Sequence, residues 1–578
     1  MNLRVKGLNI TKMNAEQDFN HKKYDHISGI FIRVCKTLSI FLVILAEVCF
    51  LQWQGGAYSS GFGGHPDEAA HFVSSIMVFD FLGNIGVVQP VDFARSFYLH
   101  YPKVAIGNWP PMLYAILGTW FLMFGVSRVS ALTFIAVVAA TTATAIYSVG
   151  RKLISPYAGL FAASLYVALP LVQESSARIM TEHLVTLLIL LSALQFARFA
   201  NTRKTLDSLI FGTVATAAIL TRGSAWSLLL VPPVVIAFTC DWRLLLNWRL
   251  WIGGLPVILL CVPWYVLTRG MSKGAMVGID PNAPMSFFMD AIVAFPIFVV
   301  QAVGLVLSSL AVIGFWVTLI VHGGKHSTYW AALFAIMIGI LFIQTVVPAA
   351  IESRYMVQLL PSFLLFSAAG CQGFIEKLPL NNKAGFMRSA VVWIGAAVVI
   401  TFTMFDIPVN IRNSGYDRVS SALMASTQNL TNPAVLLASD SIGEGSVIAA
   451  VAATDRRPRM VVLRGSKILV SEDWLGRDSR DRFGTIDELR KLLDSIPVEA
   501  VMVDEAINPQ WHRPYHEMVA RLLHKDKSNW SLEGAYDVIR NGEKKPASVS
   551  IFLRKRTPSS QLPDVTDLRL VNKLMQRD

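Results

Sequence analysis

Charged residues are distributed unevenly along the 578-residue chain, and this asymmetry constrains the fold more than any other feature. Residues 1–405 contain 16 acidic and 26 basic side chains, whereas residues 406–578 contain 23 acidic and 25 basic ones. The first part is therefore about 10% charged and the second about 28%, close to the roughly 25% of soluble domains. With 53% hydrophobic residues overall, the chain is predicted to be a polytopic α-helical membrane protein with a C-terminal soluble α/β domain, which excludes a soluble single-domain enzyme.

Eleven apolar segments are long enough to be transmembrane helices. Basic residues precede the first of them and no small-residue cleavage site follows it, so we predict a retained helix and not a signal peptide. The predicted spans are 34–53, 129–149, 154–172, 183–200, 206–221, 224–240, 250–268, 297–320, 328–347, 355–374 and 389–405.

A further apolar segment, 112–126, decides on which side of the membrane everything after it lies. If it does not span, the basic loops all fall on the cytoplasmic side, as the positive-inside rule requires. At about 15 residues it is also short for a bilayer crossing. We therefore predict a cytoplasmic tail (1–33), a transmembrane domain (34–405) with a large external loop (54–127), and an external α/β domain (406–578). The net charge of +12 then reflects basic cytoplasmic loops and not a nucleic-acid-binding surface.

The first candidate site is the external run 65–71, His-Pro-Asp-Glu-Ala-Ala-His. Its proline suits the first turn of a helix, where Asp67 and Glu68 would lie at the positive end of the helix dipole. The two acids could serve only that electrostatic purpose. A functional role is favoured by their position, because acids are scarce in residues 1–405 and these two directly follow the first span.

Two further candidates lie at the external ends of later spans. Arg178 and Glu182 are four residues apart and could form a local ion pair, or Glu182 could face Asp67 across an outer cavity. Arg354 and Tyr355 could be a snorkelling cation and an aromatic-belt residue, or a binding site for an anionic headgroup.

Lys103 and two histidines complete the candidates. Lys103 could be a solvated loop residue or a second phosphate contact. His65, Glu68 and His71 recur at i, i+3 and i+6, which makes the histidines weak candidate metal ligands because the last position drifts off the helix face. The five cysteines all lie in or beside apolar segments, so they indicate no disulfide framework and no cysteine-based zinc site.

The C-terminal part alternates strands and helices, which is typical of a small α/β domain with a mostly parallel sheet. We predict strands at 434–440, 459–465, 498–504, 532–540 and 548–554, and helices at 485–496 and 514–525. Thr485, with Glu488 three residues later, forms the sequence pattern of a capping box. The Gly-Glu-Gly run at 443–445 could open a helix. A turn is a simpler interpretation of this run than a phosphate-binding site.

Taken together, these motifs resemble the GT-C type integral-membrane glycosyltransferases. The nearest branch is that of the dolichyl-phosphate-mannose protein mannosyltransferases and the lipid A aminoarabinose transferases. Besides the acidic pair after span one, residues 108–114 (Asn-Trp-Pro-Pro-Met-Leu-Tyr) are similar to the family's "PPL-Y" stretch. Residues 176–182 are similar to its second outer loop, and residues 354–361 to its "RY…P" stretch. The resemblance covers about residues 30–405.

The resemblance implies a polyprenyl-phosphate sugar donor, an external active site and inversion at the sugar carbon. It implies that Asp67 is the general base, that Glu68 orients Asp67 or the acceptor, and that Arg354, with Lys103, holds the lipid phosphate. The second-loop acid is commonly Asp in the family and is Glu182 here, which leaves its role open. Because phosphate is already a fair leaving group, the reaction does not require a divalent metal.

The sequence therefore predicts an enzyme, a hexosyl- or pentosyltransferase of a bacterial inner membrane, whose C-terminal domain is periplasmic. The acceptor, whether lipid, polysaccharide or protein, stays open. Two other interpretations are a polyisoprenoid or solute transporter or flippase, and a lipid-linked polysaccharide polymerase or ligase. The transporter interpretation predicts inverted repeats and charged residues near the middle of the membrane, and neither is evident in the sequence.

Overall fold

The fold is described from a computed structural model of the full chain. The residues that it describes are 32, 34–269, 283–321, 327–377, 413–430, 432–455, 459–471, 480–496, 498–540, 543 and 545–555.

The regular secondary structure of the first part of the chain is helical among its described residues. Its α-helices are α1 (Val34–Gln54), α2 (Pro66–Leu82), α3 (Pro90–His100), α4 (Met112–Phe124), α5 (Arg128–Leu153), α6 (Pro156–Ala168), α7 (Pro170–Ser176), α8 (Glu182–Thr202), α9 (Thr205–Ile219), α10 (Val231–Thr239), α11 (Trp248–Ile252), α12 (Val262–Leu267), α13 (Ala283–Phe315), α14 (Ser327–Val346) and α15 (Leu360–Lys377). Short 3₁₀ segments occupy Ala57–Ser59, Gly223–Leu230, Trp242–Leu246 and Ser353–Leu359, and π-helical turns occupy Val257–Cys261 and Trp316–Val321.

Seven helical segments among the described residues are long and apolar enough to cross a membrane, and the bent pair α6–α7 would make an eighth. The pair bends by 61° where Pro170 begins α7. The predicted spans 206–221 and 224–240 correspond to shorter apolar helices, Thr205–Ile219 and Gly223–Thr239. The predicted span 389–405 lies outside the described residues. The polytopic helical architecture is thus confirmed, and the count of eleven stays a prediction.

Glycine permits close approach between several of these helices. A Cβ on Gly150 of α5 would lie 2.5 Å from the Cα of Gly159 in α6. Gly314 of α13 and Gly370 of α15 face each other in the same way. Small residues at such crossings are typical of membrane helix packing, where backbone proximity replaces the hydrophobic effect as the source of contact energy.

Between α1 and α5 the chain forms three helices that do not have the length of a span. Helix α4 has 13 residues, which gives a length of about 20 Å, shorter than the roughly 30 Å of a bilayer core. It packs against α2 through Leu113 and Leu117, both fully buried. Its length agrees with that of the predicted short apolar segment, and the placement of 112–126 in an external loop stays a prediction.

The C-terminal part is an α/β domain with a five-stranded sheet in the order β2-β1-β5-β7-β6. Its elements are α16 (Tyr416–Ser426), β1 (Ala434–Ala438), α17 (Ser441–Thr454), β2 (Val461–Arg464), α18 (Gly465–Ile468), β3 (Val470–Ser471), β4 (Arg480–Asp481), α19 (Ile486–Ser495), β5 (Val498–Asp504), α20 (Pro514–Lys525), β6 (Trp530–Val538) and β7 (Ala547–Arg554), with a 3₁₀ turn at Pro509–Trp511. Strands β2, β1 and β5 are parallel, whereas β7 is antiparallel to both β5 and β6.

The predicted mostly parallel sheet is therefore mixed. Only a short connection joins β6 to β7, and neighbouring strands so connected must be antiparallel, since a parallel pair needs a crossover of a dozen or more residues. The cap of α19 follows the prediction in part: the Thr485 hydroxyl accepts a hydrogen bond from the Glu488 N–H (3.2 Å). The Glu488 carboxylate, however, accepts from the N–H of Gly484 (2.9 Å) and not from that of Thr485.

The α/β domain shares one hydrophobic core with residues 54–127, the predicted external loop. Buried side chains of α2 and α4, among them Phe72, Val73 and Leu113, form one contiguous cluster with Val447 and Ile448 of α17. A second cluster on the other side of the sheet is built almost entirely from the α/β domain. One face of the α/β domain is thus buried against the loop that precedes α5.

Candidate functional site

Arg354 lies at the centre of a cluster of charged side chains at the N-terminal ends of α2, α8 and α15. The 3₁₀ turn Ser353–Leu359 leads into α15 and presents the guanidinium beside three carboxylates. Its Nη1 donates to Glu182 Oε1 (3.2 Å), its Nε donates to Glu352 Oε2, and its Nη2 is 3.7 Å from Asp67 Oδ2. Arg354 therefore joins the predicted acids Asp67 and Glu182 in one site.

Glu182 begins α8 and is shared by two arginines. Its Oε1 accepts a 2.6 Å hydrogen bond from Arg222 Nη1 as well as the bond from Arg354. Both Glu182 and Arg222 are buried, so each compensates the desolvation of the other. The predicted ion pair of Glu182 with Arg178 is wrong: Arg178 instead pairs with Glu174 at 2.9 Å, four residues before it.

Asp67 lies in the first turn of α2, directly after Pro66, as the sequence predicts. His65 caps the helix, because its Nδ1 accepts a hydrogen bond from the Asp67 N–H (3.1 Å). Burial, and then the positive charge of Arg354, lowers the pKa of His65 to about 3, so the imidazole is neutral at neutral pH. Since Nδ1 accepts, the proton lies on Nε2, 3.8 Å from Glu352 Oε2.

The three acids of the cluster differ in accessibility. The Asp67 side chain is 15% exposed and that of Glu352 is 34% exposed, whereas that of Glu182 is 1% exposed. Asp67 can therefore reach an incoming hydroxyl. Glu182 is buried, with its Oε1 held by the two arginines and its Oε2 without a hydrogen-bond partner among the described residues.

Aromatic rings from two of the sequence motifs pack around the arginines. The Arg222 guanidinium lies 4.5 Å from the ring centre of Tyr355 and 5.2 Å from that of Trp109. Tyr355 also faces Arg354 at 5.2 Å. Trp109 contacts the His71 ring edge-on at 5.4 Å. Cation–π contacts of this kind hold desolvated guanidinium groups in place.

Glu68 points away from this cluster, although it follows Asp67 directly. Successive helical residues are about 100° apart, and Glu68 is fully buried against Arg128 (2.9 Å). Arg128 in turn donates to the carbonyls of Ala57 (2.5 Å) and Ser60 (2.8 Å). The other Glu68 oxygen accepts from the Gly64 N–H. Glu68 thus fixes the segment before Asp67.

Lys103, predicted to hold the phosphate together with Arg354, instead contacts the α/β domain. Its ammonium group is buried and donates to the carbonyl (3.0 Å) and the hydroxyl (2.8 Å) of Ser441 in the α/β domain. Burial, and then the nearby charge of Arg464, lowers its pKa to about 7. Lys103 is therefore not a solvated loop residue, and a contact of its ammonium group with the donor phosphate stays a prediction.

The two weak metal candidates have separate partners. His65 caps α2, whereas the Nδ1 of the buried His71 lies 3.0 Å from the Tyr114 hydroxyl. Burial lowers the pKa of His71 to about 4. Within the described ranges, no three His, Cys, Asp or Glu side chains form a cluster that could hold a metal ion.

Arg222 and Arg128 are the site residues that the sequence analysis missed. A signal for Arg222 was present, because the predicted spans 206–221 and 224–240 leave it in a tight external turn. The backbone bond from the Met112 N–H to the Leu220 carbonyl (2.9 Å) brings that turn beside the 108–114 motif. Arg128 lies at the start of a predicted span and resembles an ordinary interfacial arginine, so nothing local distinguishes it.

The fold is shared with solved membrane glycosyltransferases. ArnT from Cupriavidus metallidurans bound to undecaprenyl phosphate is 14% identical, with a TM-score of 0.53 over 89% of this chain and 97% of that one. The oligosaccharyltransferase of Archaeoglobus fulgidus in the apo form is 13% identical, with a TM-score of 0.53 over 90% of this chain and 76% of that one. The chain thus has the GT-C type fold.

A more particular match concerns part of the membrane domain. Residues 108–266 match the family model of the dolichyl-phosphate-mannose-protein mannosyltransferases. That range includes Trp109, Glu182 and Arg222, which meet in the site. No curated protein sequence matches the chain. The resemblance that the sequence motifs indicate is confirmed at the level of the GT-C fold and of this segment.

Proposed function

We propose that the protein is a glycosyltransferase that moves a sugar from a polyprenyl-phosphate donor to an acceptor on the external face of a membrane. The observation that carries the proposal is the joining of a partly exposed carboxylate, Asp67, and a buried cation, Arg354, at one end of the apolar helices. The GT-C fold and the family match over 108–266 support this class of reaction.

In the proposed reaction Asp67 takes the proton of the acceptor hydroxyl. The acceptor oxygen bonds to the anomeric carbon while the bond from that carbon to the phosphate oxygen breaks, and the leaving polyprenyl phosphate retains the electron pair. A single displacement of this kind inverts the configuration, because the acceptor oxygen attacks the carbon from the face opposite the departing phosphate. A positioned general base contributes about 10²–10⁴-fold to such a rate.

Arg354 is the proposed contact for the donor phosphate. Its guanidinium is held by the buried Glu182, so its position does not depend on the donor. The Glu352 carboxylate that also binds it is the most exposed acid of the cluster. We propose that the phosphate replaces Glu352 on Arg354, since a guanidinium fork matches phosphate oxygens as well as a carboxylate. That ArnT is solved with undecaprenyl phosphate supports this donor class.

Three polar atoms around the arginines are buried and, among the described residues, have no hydrogen-bond partner: Glu182 Oε2, His71 Nε2 and Gln358 Nε2. Buried polar atoms left without partners are costly, so such atoms usually meet water or a ligand. We propose that they bind hydroxyl groups of the sugar. A divalent metal has no required role in this mechanism, because Arg354 supplies positive charge to the departing phosphate.

The test is transfer of a labelled sugar from a polyprenyl-phosphate donor in proteoliposomes. Asp67→Asn is expected to lower kcat by about 10²-fold or more with unchanged yield of folded protein. Asp80→Asn is the matched control, because Asp80 lies on the same helix at its other end and is expected to leave transfer unchanged. Retained activity in Asp67→Asn would refute the base assignment.

The same assay separates the other interpretations. A transporter or flippase would move the donor across the bilayer without transferring its sugar. A polymerase or ligase would produce extended chains or join a preformed polysaccharide. Either result would contradict the single-sugar transfer proposed here.

A further inference from the structure

The α/β domain contacts the elements that carry the site. Residues 60–64, which we term the strap, lead directly into His65 and Asp67. The Gly61 N–H donates to the Asn413 carbonyl (2.6 Å), and the Asn413 N–H donates to the Ser60 hydroxyl (3.2 Å). From α17, the Ser446 hydroxyl donates to the Phe62 carbonyl (3.1 Å). The strap is therefore bound on one side by the α/β domain, and on the other by Glu68 and Arg128.

Helix α17 also packs directly on α2, the helix that begins with Asp67. A Cβ added to Gly445 would lie 3.1 Å from the Ala69 Cβ and 3.1 Å from the Lys103 Cε. Glycine at this position allows the two helices to approach closely. Gly445, part of the Gly-Glu-Gly run that resembled a weak phosphate motif, is thus a packing residue at the contact with the Asp67 helix.

A third contact involves the segment that precedes the 108–114 motif. The Tyr101 hydroxyl donates to the Asp455 carbonyl (2.9 Å), and His100 Nδ1 lies 3.0 Å from the Met460 carbonyl. Lys103 follows with its two bonds to Ser441. The α/β domain therefore holds the chain just before both Asp67 and Trp109.

Helix α17 is itself fixed within the α/β domain. Glu444 is fully buried and accepts from Arg464 Nε (2.7 Å), from the Ser466 N–H (2.8 Å) and from the Ser466 hydroxyl (2.7 Å). Arg464 reaches across to the Pro102 carbonyl at 3.4 Å. Because Glu444 locks α17 to β2 and α18, the helix can act as a rigid surface for α2.

We propose that the α/β domain is a positioning element of the active site: through α17 and Asn413 it sets where the strap and α2 place Asp67. The inference rests on the proposed role of Asp67 as the base. Arg354 and Arg222 are held by Glu182, which has no recorded contact with the α/β domain within the part of the chain that the structure describes. A disturbed domain contact should therefore displace the base and leave the phosphate site intact.

The experiment exchanges one methyl group across the contact in the full-length membrane protein. Gly445→Ala adds a methyl group against Ala69 and the flexible Lys103 side chain, and the double variant with Ala69→Gly removes the opposing methyl group on α2. We expect Gly445→Ala to lower kcat by about 4- to 10-fold with KM for the donor unchanged, because the neighbours must move by a few tenths of an ångström and a misplacement near 1 Å can cost about 10²-fold. The double variant is expected to recover kcat to within about threefold of the Ala69→Gly single variant.

Gly484→Ala is the matched control, since Gly484 is exposed in the same domain and, among the described residues, its added Cβ would meet only Glu488 Oε2, at 3.8 Å. A merely structural contact would reduce the yield of folded protein without changing kcat per folded molecule. Wild-type kcat in Gly445→Ala, or failure of the double variant to recover, would overturn the proposal. If Gly445→Ala does not fold, Ser446→Ala replaces it, and unchanged kcat there overturns the proposal equally.

A cysteine pair separates failure of this inference from failure of the proposed function. The Cβ atoms of Gly445→Cys and Ala69→Cys would be a few tenths of an ångström closer than the roughly 3.5–4.5 Å of disulfides. Cross-linking is read by mass spectrometry and needs no sugar transfer. An efficient cross-link, together with absence of transfer by the wild-type protein, would refute the proposed function and leave the domain contact intact. Transfer without any cross-link would overturn the positioning role.

Discussion

Asp67 and Glu68 are neighbours in sequence, but their substitution should have opposite consequences. Glu68→Gln removes the negative charge from a fully buried ion pair and leaves Arg128 with neutral partners, which are backbone carbonyls and the Phe62 ring. Breaking such a pair by removing one partner costs about 3–5 kcal/mol. The loop 54–127 and the α/β domain together form a unit of roughly 250 residues, for which each kcal/mol of lost stability lowers the thermal midpoint by about 2 °C. If they unfold together, the midpoint of Glu68→Gln should fall by about 6–10 °C.

The assay is the midpoint of thermal unfolding in detergent, measured beside kcat at a temperature where the variant is still folded. Asp92→Asn is the matched control, because Asp92 pairs with Arg95 in the same loop but both side chains are more than half exposed. Exposed pairs contribute little, so its midpoint should stay within about 2 °C. Glu68→Gln with Arg128→Met should be more stable than Glu68→Gln alone, since no buried charge is left unpaired.

Per folded molecule, Glu68→Gln should lower the rate of sugar transfer by less than about tenfold, because the strap is held less firmly but Asp67 is still present. A variant that is as stable as wild type yet inactive would refute the reasoning, because it would show that the Glu68 carboxylate acts on the acceptor or on Asp67 and not through Arg128.

Four further predictions follow from the site and its surroundings. The pKa of Lys103 is lowered to about 7 from an ordinary value near 10.5, so between these pH values the unfolded chain binds more protons than the folded one. The stability of the fold should therefore rise with pH from about 7 to 10. Lys103→Met should show a smaller rise in thermal midpoint over that range. Arg222→Lys keeps the positive charge but loses the planar guanidinium that contacts Glu182 and the rings of Trp109 and Tyr355. It should raise KM for the donor and lower the thermal midpoint, and both quantities are compared with those of the wild type. Trp109→Leu removes the cation–π contact to Arg222, worth about 0.5–2 kcal/mol, which predicts a thermal midpoint lower by about 1–4 °C. Chelation by EDTA should leave the transfer rate unchanged, and loss of transfer that added Mg²⁺ or Mn²⁺ restores would contradict the metal-free mechanism.

The convergence of Asp67, Glu182 and Arg354 could be predicted because it depends on sidedness. Each lies beside the external end of a predicted span, and span ends on one side of a membrane are close in space. Their common position follows from counting crossings and needs no knowledge of how the helices pack. The fold class could be predicted for the same reason, from the lengths of apolar segments and the charge split at residue 405.

What the sequence could not supply are the partners of the buried charges. Whether Glu68 meets Arg128 or an acceptor depends on which way its helix is rotated, and that rotation is set by packing against α4 and α17. The same holds for Lys103, whose partner Ser441 is 338 residues away. The rotation of a helix with a weakly one-sided apolar pattern, such as α2, is poorly specified by its own sequence.

The core shared by the external loop and the α/β domain has a consequence for synthesis of the protein. Phe62 and its partner Ser446 are separated by 384 residues. At about 5–20 residues per second, the ribosome takes about 20–75 s to make that stretch. During this time the apolar faces of α2 and α4 have been translated but not yet covered. During biogenesis a chaperone or the lipid surface must therefore shield the loop until the α/β domain has been made. In a chain truncated before β1, the loop would stay uncovered.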